Sequence, residues 1–317
     1  MIPPTPSISR NLSPRAAVPS AMKTKISLAI AGMLLVSGLS AATLPAFAQD
    51  ADHFWSKSYP VSGKPTLNLE TSDARVAISP CESCHAVSIH VEVEGKKLSD
   101  YHIEESQSGD QVHFHIWQRE HVGFHIGVNW HERTTVTVET PAELTLAAKT
   151  SDGSVNLTGL HGDIDLTTGD GDVSLDHVSG NLRLKSGDGK VNIAGASGAL
   201  DARTSDANLT VDGVFHALAV HTSDGHLDLN LREGTKLTEA SSIQSSDGSI
   251  TLRVPPSFAA DLDVHTSDGH FDCALPIVMD HYHGSGGEAH DLHGRLNGGG
   301  TPLTIHTSDG NVKIEQI

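Results

Sequence analysis

Three groups of residues in this sequence have types and spacings that could do chemistry. The first is a recurring carboxylate. The phrase Thr-Ser-Asp-Gly, or a close variant, sets Asp152, Asp170, Asp188, Asp206, Asp224, Asp247, Asp268 and Asp309 at intervals of 18, 18, 18, 18, 23, 21 and 41 residues. Carboxylates repeating at a short period could collect Ca²⁺, which takes about six to eight oxygens. The second group is His281, His283, His290 and His293 in a glycine-rich stretch. An H-x-H followed by H-x-x-H offers four imidazoles to a divalent metal such as Zn²⁺ or Cu²⁺. The third is Cys81-Glu-Ser-Cys84-His85, formally the pattern that attaches c-type haem in exported proteins.

Each group also has a structural reading, and in each case it is preferred. One Asp per repeat falls short of the oxygens Ca²⁺ needs, whereas Asp-Gly is ordinary turn chemistry: an Asx-type side-chain bond followed by a residue that tolerates positive φ. Ala74 and Ala207 replace that glycine in two copies, so the turns there must differ or carry strain. Three residues before the aspartates stand Lys149, Thr167, Lys185, Arg203, His221, Gln244, His265 and His306. This largely basic row would offset the repulsion between stacked acids, roughly 1 kcal/mol per pair in water. The pairs His221/His226 and His265/His270 then fill outward positions, and the His281–His293 stretch reads as a polar loop. His113, His115, His121, His125 and His131 alternate with apolar residues and read as an outer strand face. Cys81 and Cys84 follow Pro80 between two strand-like runs, so a disulfide closing a hairpin comes before haem. Cys273 occupies an inward repeat position.

These residues need elements to position them, and alternation supplies them. In one unit, Leu182 and Leu184 precede the turn Lys185–Gly189, and Val191 and Ile193 follow it. Period-2 alternation puts these four on one face and Arg183, Lys190 and Asn192 on the other. A second corner follows at Ala196-Ser-Gly198. Each unit is two short strands and two corners, and only stacking can bury its apolar side. The fold class is therefore all-β, a β-solenoid of about 18 residues per rung. Eight rungs at about 4.8 Å make a rod roughly 38 Å long.

Residues 141–317 form this repeat region, with an insertion at 274–300. Residues 49–140 are β-like but irregular, with strands expected over 66–70, 75–79, 86–94, 112–118 and 134–139. Eight of the 13 aromatics lie there, which suits a sandwich-like or capping segment. Leu69-Glu-Thr-Ser-Asp73-Ala is a stray copy of the phrase that would pair with the repeats. Residues 1–48 read as a leader and signal peptide, with a charged start at Met22-Lys-Thr-Lys25, an apolar run to Leu39, and Ala46-Phe47-Ala48. That run is too short for a membrane span of about 20 residues.

The leader holds Arg10, Arg15, Lys23 and Lys25 and no acid. Without it the 21 basic residues fall to 17 against 39 acidic ones, a net charge of −22. Such a chain disfavours nucleic acid and anionic membrane as partners. Three cysteines are too few for a disulfide scaffold. No G-x-S-x-G, H-E-x-x-H or phosphate-loop phrase occurs.

The T-S-D-G-x-apolar-x-apolar phrase and the closing stretch from Gly294 to Ile314 resemble a bacterial β-strand-repeat family provisionally labelled adhesin, over Thr66 to Ile317. The resemblance implies an exported or envelope-associated solenoid of no established shared chemistry. The expected function is a non-catalytic binding module, in the periplasm or at the cell surface, with an envelope protein or glycan as partner. No cofactor is expected beyond a divalent metal. The alternatives are a carbohydrate-active enzyme on a solenoid and a haem- or metal-binding envelope protein. Intact mass of the exported protein should place its first residue at Gln49; a chain retaining residues 22–48 would overturn the signal-peptide reading.

Overall fold

Alternation along each strand decides which side turns inward, and stacking then gives that side a partner. The computed structural model describes residues 52–119, 132–285 and 288–317, with backbone alone over 280–290. The expected leader, and His121, His125 and His131, lie outside them. All described residues belong to one unit, Ala48–Ile317.

The chain runs through β1 (Phe54–Pro60), β2 (Thr66–Thr71), β3 (Arg75–Pro80) and β4 (Ala86–Glu94). A 3₁₀ turn leads to β5 (Tyr101–Ser108), β6 (Gln111–Gln118), β7 (Arg133–Thr140), β8 (Glu143–Lys149) and β9 (Val155–Thr158). Next come β10 (His161–Thr167), β11 (Val173–Asp176), β12 (Ser179–Ser186), β13 (Val191–Thr204), β14 (Leu209–Thr222) and β15 (Leu227–Leu231). The last are β16 (Ser241–Ser245), β17 (Ile250–Val254), β18 (Ala260–Thr266), β19 (Phe271–Cys273), β20 (Ile277–Ser285), β21 (Glu288–Leu296), β22 (Pro302–Thr307) and β23 (Val312–Gln316).

Parallel pairing stacks these strands into a two-faced β-solenoid. One face runs β6–β2–β8–β10–β12–β13–β14–β16–β22–β18. The other runs β7–β3–β9–β11–β13–β14–β15–β17–β23–β19. The long strands β13 and β14 bend through the second corner and serve both faces. Register follows the repeat, with Ile164 beside Leu182 and Leu166 beside Leu184. Leu182, Leu184, Val191 and Ile193 are buried in one continuous core.

The segment before residue 141 is part of the same stack. β2 lies between β6 and β8, and Thr71–Asp73 is the first of nine stacked copies of the turn. Antiparallel strands cover the ends: β5 beyond β6, β4 and β1 beyond β7, and β21 then β20 beyond β18. Tyr59 and Phe114 are buried under the first cap, with Trp55 5.2 Å from Phe114. At the far end the second face finishes on the three-residue β19, too short an edge to recruit another chain readily.

The stacking order departs from the sequence order, because β22 and β23 insert between β16–β17 and β18–β19. Two expectations are corrected. The 274–300 insertion is a hairpin, not a loop: Leu292, Gly294 and Leu296 alternate inward against β18, which its polar composition conceals. Finally, the turn glycine does not adopt positive φ. It is needed because a Cβ on Gly153 would stand 1.9 Å from the Ala74 carbonyl oxygen of the adjoining rung, and one on Gly248 1.9 Å from Gly225 O. Positive φ belongs to the second corner, as at Gly180 (φ 112°).

The residue that closes the turn is the buried Thr or Ser that starts the phrase. Gly225 N donates to Thr222 Oγ1 (3.3 Å), which donates to Ser205 O of the neighbouring rung (2.9 Å). Ser245, Thr266 and Thr307 repeat this relay. At Thr168, Ser186 and Thr204 the buried hydroxyl finds no protein partner. Thr222→Val should therefore cost about 1–3 kcal/mol in denaturant unfolding, because it strands a buried N–H and a carbonyl. Thr204→Val should be neutral or stabilising, and equal losses would refute the relay.

Candidate binding surface

The phrase aspartates sit at the outer end of each turn, and all nine, Asp73 included, are exposed. Six of their backbone amides bond to a carbonyl of the neighbouring turn, among them Asp152 N to Ser72 O (3.2 Å), Asp224 N to Ser205 O (3.1 Å) and Asp309 N to Ser246 O (3.0 Å). Asp309 thus falls between Asp247 and Asp268 in the column. Among the described residues no salt bridge reaches any of these carboxylates. The basic row expected to offset them runs instead along the outer side of the first face, in the register Lys149–Thr167–Lys185–Arg203–His221–Gln244–His306–His265. Alternation explains this: the residue before the buried phrase Thr faces outward from the sheet, whereas Asp lies around the corner. Arg203 pairs with Asp201 on its own strand at 3.2 Å.

At the capped end the column meets a cavity of about 150 Å³ lined by Asp73, Tyr101, Ile116, Gln118, Glu132 and Thr134. The Thr134 hydroxyl donates to Tyr101 Oη at 2.9 Å. Partial desolvation of its carboxyl at the mouth of this cavity, followed by the charge of Asp152 and a hydrogen bond shared with it, holds Asp73 above the usual carboxylate range although the residue as a whole is exposed. A shallow open groove continues past Arg75, Asp152, Asp170 and Asp172.

Cys81 and Cys84 are joined as a disulfide in the turn between β3 and β4, with Cα atoms 5.7 Å apart, and His85 is exposed beside them. A thioether link to haem would require both sulfurs reduced. Cys273 is a free, half-buried thiol on β19 whose ionisation is pushed up by burial.

At the opposite end, β18 and β21 present Asp-x-His twice on neighbouring antiparallel strands. Asp263 lies opposite His293 and His265 opposite Asp291. His265 Nδ1 pairs with Asp291 Oδ1, and His293 Nδ1 lies 3.1 Å from Asp263 Oδ1. The ring of His306 stacks on His265 at 5.1 Å between centroids and 5° between planes. On β20, His281 registers with His293 and His283 with Asp291. His290 lies on β21. The side chains of His281, His283 and His290 lie outside the description. Among the described residues no three His, Cys, Asp or Glu side chains converge on one point. Asp263 and Asp291 escaped sequence reasoning, although the repeated Asp-x-His was the available signal.

A family profile described as Toastrack DUF4097 matches residues 65–315. No curated protein matches the chain. Among solved structures it is similar to a provisionally named cell adhesion protein from Clostridium sporogenes, at 13% identity over 83% of this chain and 100% of that one, TM-score 0.26. It is also similar to a provisionally named lipid-binding protein from Parabacteroides distasonis (12%, 84% and 97%, TM-score 0.47) and an adhesin, again provisionally named, from Bacteroides fragilis (11%, 83% and 97%, TM-score 0.33). Likenesses of this size carry no argument about ligand.

A raised carboxyl pKa means the folded state resists ionising Asp73. Stability therefore falls as pH rises from the unfolded pKa through the folded one, and the deficit persists at neutral pH. Asp73→Asn should raise the unfolding free energy at pH 7 by no more than about 1 kcal/mol, the size of a like-charge pair in water-like surroundings. That gain should vanish at pH 3, and a loss of stability at pH 7 would overturn the assignment.

Proposed function

Because this chain belongs to the Toastrack DUF4097 family, we propose that it is a non-catalytic, exported binding module of the cell envelope whose partner is an envelope protein or a glycan. The observation that carries this reading is the distribution of carboxylates. A glycan-cleaving solenoid gathers its acids in one groove deep enough to hold a sugar. Here the nine phrase carboxylates are spread along a corner from one end of the stack to the other, exposed and outside salt bridges among the described residues. The outward residues of the two sheet faces beside that corner offer further area for docking. Among the described residues no helix is long and apolar enough to cross a membrane.

The Asp73 cavity is the feature that favours an enzyme. It opens into a groove of about 370 Å³ lined by Asp73, Glu132, Asp152, Asp170 and Asp172; that groove is shallow and open where small-molecule sites enclose most of their ligand, and this supports the binding reading over the catalytic one.

Co-sedimentation of the purified protein with isolated cell-wall glycan, and its capture on immobilised envelope protein fractions, should show saturable, salt-sensitive retention. The triple variant Asp170→Asn, Asp188→Asn, Asp206→Asn should weaken that retention about tenfold, three exposed charges at a few tenths of a kcal/mol each. Release of reducing sugar ends from the same glycan, lost in Asp73→Asn, would replace this reading with the enzyme.

A further inference from the structure

The geometry points to a pocket for a neutral sugar residue at the second corner, the edge of the stack opposite the carboxylate column. This rests on the binding-module reading and selects the glycan as its partner. In regular rungs two residues turn this corner, as His177 and Val178 do between β11 and β12. Three connections there are longer: residues 232–240 lead into β16, 297–301 into β22 and 255–259 into β18. These three strands are neighbours in the order β16–β22–β18, so the three loops gather at one place. They surround a cavity of about 410 Å³, lined by Glu233, Lys236, Leu237, Ser257, Ala259 and Gly300 among others. It is more enclosed than the groove beside Asp73, and its volume lies within the roughly 300–1,000 Å³ of small-molecule sites.

The loops are tied to one another in every combination. Ser257 Oγ donates to Glu233 Oε1 at 2.6 Å, and Thr301 Oγ1 donates to Leu237 O at 2.8 Å. The Asn297 amide donates to Pro256 O and to Phe258 O, each at 2.8 Å. Leu237 and Phe258 are buried and pin two of the loops to the aliphatic core. The walls are therefore set before a ligand arrives, which removes the cost of ordering loops on binding.

The lining selects the guest. Its charged residues are Glu233 and Lys236, one of each sign, so an anion would meet the carboxylate and a cation the ammonium. A neutral molecule avoids both penalties. With Ser257 on one oxygen, the Glu233 carboxylate keeps the other as an acceptor, and the exposed Lys236 ammonium supplies donors. Neighbouring hydroxyls suit this pair, since a hydroxyl gives a proton to the carboxylate and accepts one from the ammonium. Leu237 and Ala259 offer apolar wall to the C–H face of a ring. Hydroxyls on one edge and C–H groups on a face describe a sugar.

The test titrates the purified, isotopically labelled full chain with glucose, N-acetylglucosamine, cellobiose and chitobiose, following backbone amide resonances. At least one saccharide should shift the amides of Gly234, Lys236, Gly299 and Gly300 saturably, with a millimolar or tighter dissociation constant. Glu233→Gln and Lys236→Met should each weaken that binding about tenfold, the loss of one hydrogen bond to a charged group. Both residues are exposed, so thermal unfolding should not change. Glu239→Gln, exposed in the same loop but outside the lining, should bind like the parent. The proposal is overturned if none of the four saccharides shifts these amides at tens of millimolar. It is equally overturned if both pocket variants bind like the parent, or if the shifts gather around Asp73. Retention on cell-wall glycan with the pocket amides silent would remove this proposal and leave the binding-module reading standing.

Discussion

One distance governs this protein, the separation between neighbouring strands in a parallel sheet. Every corner must repeat at that pitch, and the turn phrase is the device that meets it. At Thr222, Ser245, Thr266 and Thr307 its first residue is a buried hydroxyl that takes the glycine amide of its own turn and gives its proton to a carbonyl of the neighbouring rung. Its last, except at Ala74 and Ala207, is a glycine because a neighbouring carbonyl occupies the space a side chain would need. The aliphatic core follows from the same spacing. Two sheets stacked rung upon rung bring like residues over like, and Leu, Ile and Val fill such layers without leaving polar atoms to satisfy.

A core of this kind leaves little interior for chemistry. What varies from rung to rung is the outer side, where the repeat places no demand beyond alternation. Lys, Arg and His take the row before the turn at different rungs, while the corner is held to aspartate throughout. The molecule therefore carries two distinct electrostatic lines, a carboxylate edge and a mixed imidazole–cation stripe. They are separated by the bend of the turn and are not paired with each other among the described residues. This separation keeps both available to solvent and to partners of different charge.

Much of the architecture was legible in the sequence because alternation and turn chemistry are local. The strands at 66–71, 75–80, 86–94, 111–118 and 133–140 follow their apolar periodicity closely. Leu182, Leu184, Val191 and Ile193 could be placed inward from spacing alone. What could not be read was long-range. No local signal says that the unit ending at Ile317 lies between two earlier ones, since all three units present equivalent edges. The hairpin at 277–296 was hidden because its inward residues include a glycine and its outward ones are His, Asp and Arg. The role of the phrase Thr was missed for a related reason, since a hydroxyl that bridges two rungs is defined by the neighbour, not by its own turn. The Asp263–His293 and His265–Asp291 pairs depend on both long-range facts together.

The exchanged order of the end rungs reaches beyond geometry into how the chain must assemble. A chain emerging amino-terminus first presents β18 and β19 before the strands that separate them from β16 and β17. Those strands, β22 and β23, lie within residues 302–317, so the native stack cannot be finished by adding rungs one after another. Those sixteen residues act as a keystone: they enter between two courses already made, and the solenoid locks only on their arrival. Loss of residues 302–317 would open a gap in the body of the stack, with two sets of strand edges exposed toward each other. Completion of the stack therefore waits on residues 302–317, which pair with β16 and β17 on one side and with β18 and β19 on the other.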